Sequence, residues 1–158
     1  MALSVRLARP ADIDAILQVQ AHGDGATGER FRAWVTGAIP TAHERVCVAV
    51  RDGTVVGWAA TRRFDDPTAD APAGEYLMGV RVRTGSRRTG VGSCLIAARL
   101  ELIRRSGAHS AYYVTNVRNT ASIAAHRRWG FRELGRAARF RDVPFDGGEG
   151  ILFAAGLL

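Results

Sequence analysis

Between Glu75 and Ser106 a strand, a basic glycine-rich turn and a long helix follow one another almost without a break. The strand pattern runs Glu75 to Val82 and gives way to a short basic turn, Thr84 to Thr89. From Gly90 to Ser106 the apolar residues Val91, Cys94, Leu95, Ala98 and Leu102 form one helical stripe. Glu101 and Arg105 add a favourable i,i+4 pair, and Gly107 ends the helix. Glycines at Gly90 and Gly92 let the backbone come close to a ligand. The unpaired amides of the helix's first turn point at the same place, and the helix dipole adds positive potential. Arg87 and Arg88 contribute full charges. Arg87-Arg88-Thr89-Gly90-Val91-Gly92 therefore suits a pyrophosphate cradle. It equally suits a plain glycine-rich turn with a solvated basic rim.

A dinucleotide site is excluded. It needs a third Gly or Ala where Leu95 stands, and an acid about 20 residues on. No Asp or Glu occurs between Glu101 and Glu133. The chain also lacks lysine altogether, so its net charge of +7 comes from arginine alone. A Walker-type phosphate loop, a Schiff-base enzyme and a pyridoxal-phosphate enzyme are thereby ruled out. The positive balance favours an anionic partner. At 158 residues, one domain spanning 1–158 is expected, able to bury a core without disulfides or metals. Cys47 and Cys94 lie in apolar stretches and are expected in the core. The four histidines show no metal spacing, so no metal site is expected. No apolar run approaches the ~20 residues of a membrane span, and the opening residues carry no signal pattern. A cytoplasmic protein without a membrane association is expected.

Along the chain, Val5 to Ala8 reads as a strand, and Ala11 to Leu17 as part of a helix. Gly23, Gly25 and Gly28 mark a loop, and Glu29 to Ile39 a second helix carrying Phe31, Trp34, Val35 and Ala38. Val46 to Val50 and Val55 to Thr61 form a hairpin about Asp52-Gly53. Phe64 to Gly74 reads as a loop, Ala111 to Thr115 as a strand, and Asn119 caps a short helix ended by Gly130. Arg132 to Phe140 and Gly150 to Leu157 are the last strands.

The stretch from Asn119 to Phe131, with Ser122, His126 and Gly130-Phe131, completes a second motif about 30 residues after the glycine turn. Here the chain resembles the GNAT (GCN5-related N-acetyltransferase) superfamily. Those proteins carry Gln/Arg-x-x-Gly-x-Gly/Ala after the fourth strand and Asn-x-x-Ala-x-x-x-Tyr-x-x-x-Gly-Phe before the sixth. The resemblance implies an α/β fold with a mixed, mostly antiparallel sheet of about seven strands and four helices. The sheet would splay between the fourth and fifth strands. The cofactor implied is acetyl-CoA. The backbone of Val80, Arg81 and Val82 would pair with its pantetheine arm. Amides across Arg87, Arg88, Thr89, Gly90, Val91, Gly92 and Ser93 would hold its pyrophosphate, and Asn119 would contact the pantetheine or phosphate region. Ser122 and His126 replace the usual alanine and tyrosine, as they do in phosphinothricin-type acetyltransferases.

The implied chemistry needs a base for the amine and an acid for the departing thiol. His126 occupies the acid's place in the motif; its other reading is a packing residue on the helix. Glu75 is the candidate base, although the family position counted back from Arg87 falls on Tyr76, which would face the other side of the strand. Phe31, Trp34 and Phe64, together with Trp58, would line the acceptor pocket or belong to the core. Asp65, Asp66 and Asp70 would attract an amine or stand solvated in their loop.

The function expected is acyl-CoA-dependent transfer of an acetyl group to a primary amine of a small molecule, an amino acid or an antibiotic, by direct attack. The first alternative is a protein N-terminal or aminoacyl-tRNA acetyltransferase. Another is a non-catalytic acyl-CoA- or RNA-binding protein, the latter motivated by Arg81, Arg83, Arg87, Arg88, Arg104, Arg105, Arg127 and Arg128. That arginine face lacks interleaved exposed aromatics, so nucleic acid is not the expected partner. Ile151-Leu152-Phe153 would permit a homodimer through the last strand.

Overall fold

A computed structural model describes residues 2–21, 28–141, 143–145 and 147–157. The Gly23 and Gly25 part of the first expected loop lies outside them. In chain order the elements are β1 (Leu3–Leu7), α1 (Ile13–Ala21), α2 (Glu29–Ala38), β2 (Glu44–Arg51), β3 (Thr54–Phe64) and β4 (Gly74–Val82). There follow α3 (Val91–Arg105), β5 (Ser110–Asn116), α4 (Thr120–Arg127), β6 (Arg132–Ala137), β7 (Arg139–Phe140), β8 (Val143–Pro144) and β9 (Gly150–Gly156). Seven strands make one mixed sheet in the order β1-β2-β3-β4-β5-β9-β6, and β7 and β8 form a separate hairpin. The chain divides into two compact units, Met1–Thr61 with Gly79–Arg99, and Arg62–Met78 with Leu100–Leu158.

In the first unit β1 pairs antiparallel with β2, from Leu3 opposite Arg51 to Leu7 opposite Cys47. Asp52 and Gly53 both have positive φ, +53° and +75°, as the tightest hairpin turn requires. Ile16 and Val19 of α1 and Val35 and Ala38 of α2 pack with Val46, Val48, Trp58 and Ala60. Phe31 and Trp34 pack against that cluster, each within 6 Å of the Trp58 ring centre at 5.4 and 5.6 Å. The Trp34 indole donates to the Glu44 carboxylate at 2.9 Å, and the Trp58 indole to the Gln20 amide oxygen at 3.2 Å. Gly79 of β4 accommodates Trp58: a Cβ there would lie 2.9 Å from the indole ring.

Helix α3 is rotated from the expected stripe. Its buried residues include Val91, Leu95, Arg99 and Ile103, a run at i,i+4 spacing, and Cys94 is exposed. Cys94 is therefore not a core residue, whereas Cys47 is. Arg99 is 1% exposed. Two of its donors meet carbonyls in the interior: Nε reaches Leu95 O at 3.2 Å and Nη1 reaches Ala60 O at 3.3 Å.

In the second unit β4 runs parallel to β5, with Glu75, Tyr76 and Leu77 opposite Ala111, Tyr112 and Tyr113. β4 continues to Val82 and β5 to Asn116. Met78 and Val80, just past that short ladder, are exposed, which is the splay that the resemblance implied. β9 lies between β5 and β6, paired antiparallel with both. Ile151, Leu152 and Phe153 are consequently buried within the protomer and are not the edge that a dimer through the last strand would use. The expected strand Arg132 to Phe140 is broken into β6 and β7, with a register shift between Glu133 and Gly135 that leaves Leu134 exposed. Phe64, expected in a loop, is the last residue of β3 and packs edge-on to Tyr76 at 5.2 Å.

Candidate active site

In the first unit the cradle is built on β4, the turn after it and the start of α3. Arg83 N–H bonds to Val56 O at 2.8 Å, which ties the end of β4 to β3. A 3-10 turn over Thr84–Ser86 follows, and Arg88 and Gly90 take positive φ, +62° and +89°. The first helical hydrogen bond of α3 runs from Cys94 N–H to Gly90 O at 3.0 Å. The amides of Val91, Gly92 and Ser93 therefore precede any intrahelical acceptor and face outward from the helix end. A Cβ added at Gly85, Gly90 or Gly92 would meet nothing within 4 Å, so this backbone surface is open. An anionic group fits there: open amides, the positive end of a 15-residue helix, and the arginines Arg87 and Arg88. Arg87 Nε donates to Val82 O at 3.4 Å.

Arg51 supports this turn and is a residue that the motif reading missed. From the end of β2 its Nη1 donates to Thr89 Oγ1 at 3.1 Å and its Nη2 to Thr89 O at 3.3 Å. Thr89 Oγ1 in turn donates to Ser86 O at 2.5 Å. Nothing local marks Arg51, since it lies 38 residues from Thr89.

In the second unit the residues of the second motif share one face of α4, turned to β5. Asn119 is the N-cap: its Oδ1 accepts Ser122 N–H at 3.4 Å and its Nδ2 donates to Thr115 Oγ1 at 3.3 Å. Its carboxamide is thus engaged in fixing α4 on β5. Ser122 Oγ shares a hydrogen bond with the Tyr113 hydroxyl. His126 is 3% exposed, and its ring lies flat on Tyr113, with centres 3.8 Å apart and planes 6° apart. Its Nδ1 is 2.8 Å from Ser122 O, so that nitrogen carries a proton and donates it to the carbonyl. Phe131 sits edge-on to the His126 ring at 5.6 Å.

Glu75 is 3% exposed and lines an open cavity of about 450 Å³ with Arg63, Ser106, His109, Ser110 and Tyr112. Tyr76, its neighbour, is turned the other way, as strand alternation requires. The Tyr76 hydroxyl donates to Pro72 O at 2.6 Å, and burial pushes the phenol above its usual range. Tyr76 is therefore a held donor and not a base. Phe31 and Trp34 are joined to the first unit's core, and Phe64 belongs to an aromatic cluster with Tyr76 and Tyr112.

The acetyltransferase (GNAT) family model matches residues 13–131. An aminoglycoside N(6')-acetyltransferase type 1 from Stenotrophomonas maltophilia is 31% identical over 142 residues, covering 87% of this chain and 92% of that protein. The crystal structure of a ribosomal-protein-alanine N-acetyltransferase from Brucella melitensis superposes with a TM-score of 0.77 at 27% identity, over 98% of this chain and 99% of that one. An acetyltransferase structure from Salmonella typhimurium, solved with its cofactor acetyl-CoA, has the same fold at 22% identity, with a TM-score of 0.76 over 100% of this chain and 95% of that one. Cradle, splayed strand pair and capped α4 agree with these matches: the chain belongs to the GNAT family and is an N-acetyltransferase that uses acetyl-CoA.

Proposed function

We propose that the chain, as a single N-acetyltransferase domain over 1–158, acetylates the primary amine of a small molecule in the cytoplasm. The observation that carries this is the open backbone at Gly90 and Gly92 ahead of α3, within a chain 31% identical to an enzyme named for a small-molecule amine. Bound acetyl-CoA supplies an activated thioester. The amides of Arg88, Thr89, Gly90, Val91, Gly92 and Ser93 would bind its pyrophosphate, with the Arg87 and Arg88 charges adding affinity; the Arg87 amide itself is given to Thr84 O at 3.4 Å. The backbone of Val80 to Val82 would align the pantetheine arm, and a backbone amide near Val80 would donate to the thioester oxygen. Asn119, the cap of α4, would contact the pantetheine or phosphate region of the cofactor.

Glu75 is the sole carboxylate on β4 and is the group that would take the amine's proton, through water. His126 holds the proton for the sulfur. Because Nδ1–H is given to Ser122 O, the transferable proton is the one on Nε2 of the imidazolium. Phe31, Trp34 and Phe64 shape the acceptor side.

The test is a screen of thiol release from acetyl-CoA with aminoglycosides, free amino acids and peptides bearing an N-terminal alanine. Turnover of either small-molecule class at micromolar to millimolar KM supports the reading. Turnover of peptides alone moves the protein to the second reading, an N-terminal acetyltransferase, which the likeness to the Brucella melitensis structure favours.

A further inference from the structure

A cluster of two arginines and an aromatic ring in the second unit bears on the charge of the acceptor. Phe64 carries two guanidinium groups: Arg62 Cζ lies 4.7 Å and Arg141 Cζ 4.1 Å from its ring centre. Arg141 also lies 5.2 Å from the centre of Tyr76. It is held there firmly. Its Nη2 donates to Asp66 O at 3.0 Å and to Pro72 O at 2.6 Å, the same carbonyl that takes the Tyr76 hydroxyl. Its backbone adopts φ +48°, a conformation that a long side chain seldom takes.

Neither guanidinium is in an ion pair among the described residues, and the carboxylate near enough to Arg141 to feel its charge, Asp70, is an exposed one. Arg141 Nε is buried with no hydrogen-bond acceptor. Arg62 makes neither an ion pair nor a hydrogen bond among the described residues; its contact is the Phe64 ring. Two of the nearby carboxylates have partners of their own. Asp65 pairs with Arg63 at 3.0 Å, and Asp70 accepts from the Thr68 hydroxyl at 2.5 Å and from the Arg141 backbone N–H. A buried donor without an acceptor, and two like charges on one ring, are both unfavourable until an anion completes the arrangement. A carboxylate does so, with one oxygen accepting the Arg141 Nε–H and its charge offsetting the Arg62 guanidinium. The cluster adjoins the end of the β4–β5 ladder, since Tyr76 precedes Leu77, the last paired residue.

We propose that Arg62 and Arg141, packed on Phe64, recognise a carboxylate on the acceptor. This rests on the reading that the chain acetylates a small amine, and it narrows the substrate to an amino-acid-like molecule bearing both groups. The net charge of +7 acts in the same direction, since it repels a polycationic aminoglycoside and attracts an acid.

The probes are a series of free L-amino acids and the matching carboxamides, which keep the amine and lose the anion. Two readouts are taken. The first is the arginine Nε–Hε resonances of the whole protein during titration. The second is acetyl transfer. At least one free acid is expected to move the Arg62 and Arg141 resonances and to be acetylated about ten- to a hundredfold more efficiently than its amide. Arg62→Ala is expected to raise KM for the acid and leave KM for the amide unchanged. Arg139→Ala, which removes an exposed charge on β7, leaves both unchanged. Acid and amide used equally, no acid moving the two resonances, or Arg62→Ala weakening both substrates alike would each overturn the proposal. The resonance titration judges the arginine pair without turnover. Calorimetric binding of acetyl-CoA judges the transferase reading, so the two failures are distinguishable.

Discussion

Gly90 separates backbone strain from charge at the cradle. In Gly90→Ala the new methyl meets nothing within 4 Å, so its cost comes from the backbone, held at φ +89°. An L-residue forced into that region loses about 1–2 kcal/mol. For a chain of this length each kcal/mol lowers Tm by roughly 2–4 °C, and a fall of about 2–8 °C is expected. Gly90→Glu carries the same backbone cost and adds a carboxylate to the open surface. Against a phosphate ~5 Å away at an effective dielectric near ~20, one charge pair repels by about 3 kcal/mol before salt screening. With screening reducing that by about half, acetyl-CoA affinity should still fall at least about tenfold relative to Gly90→Ala. The assay is calorimetric titration of acetyl-CoA into wild type and both variants, with thermal unfolding in parallel. If Gly90→Glu binds acetyl-CoA within threefold of Gly90→Ala, the pyrophosphate does not sit at this turn and the cradle argument is wrong.

Three further outcomes are expected. Arg51→Ala removes two exposed hydrogen bonds to Thr89, together worth about 1–2 kcal/mol, and should raise KM for acetyl-CoA several-fold with kcat little changed; an unaltered KM would show that the turn holds its shape unaided. His126→Phe keeps an aromatic ring against Tyr113 and removes the proton, so kcat should drop about a hundredfold or more while Tm stays within a few degrees; a loss of threefold or less assigns His126 to packing. With an aromatic thiol reagent near neutral pH, Cys94 should react promptly and Cys47 should not, because burial pushes the Cys47 thiol up to about 11. Since the folded value lies above the ordinary 9.0, Cys47's contribution to stability is intact below pH 9 and is lost as pH rises from 9 towards 11. Cys47→Ser should flatten alkaline unfolding over that window, and an unchanged profile would contradict the burial effect.

Local sequence was enough wherever one segment decides its own conformation. Asp52-Gly53 demands a positive-φ hairpin, Asn119 supplies a cap, and the glycine turn ahead of α3 leaves its amides open, all within a few residues of one another. The two motifs were legible for the same reason, and with them the family and its cofactor. Tertiary structure alone settled what depends on distant partners. The α3 stripe was ambiguous, since Val91 and Leu95 belong both to a face with Cys94 and Leu102 and to one with Arg99 and Ile103. The Ala60 carbonyl, on β3, favours the second by accepting an Arg99 donor. Placement of β9 between β5 and β6 buries Ile151 to Phe153, which no pattern in those residues announces. Tyr113 beneath His126, Arg51 beneath Thr89, and Arg62 with Arg141 on Phe64 join residues from 2 to 79 positions apart in the chain. Side-chain pairs of this kind leave no periodicity in sequence, because the folded backbone and not the local spacing brings them together.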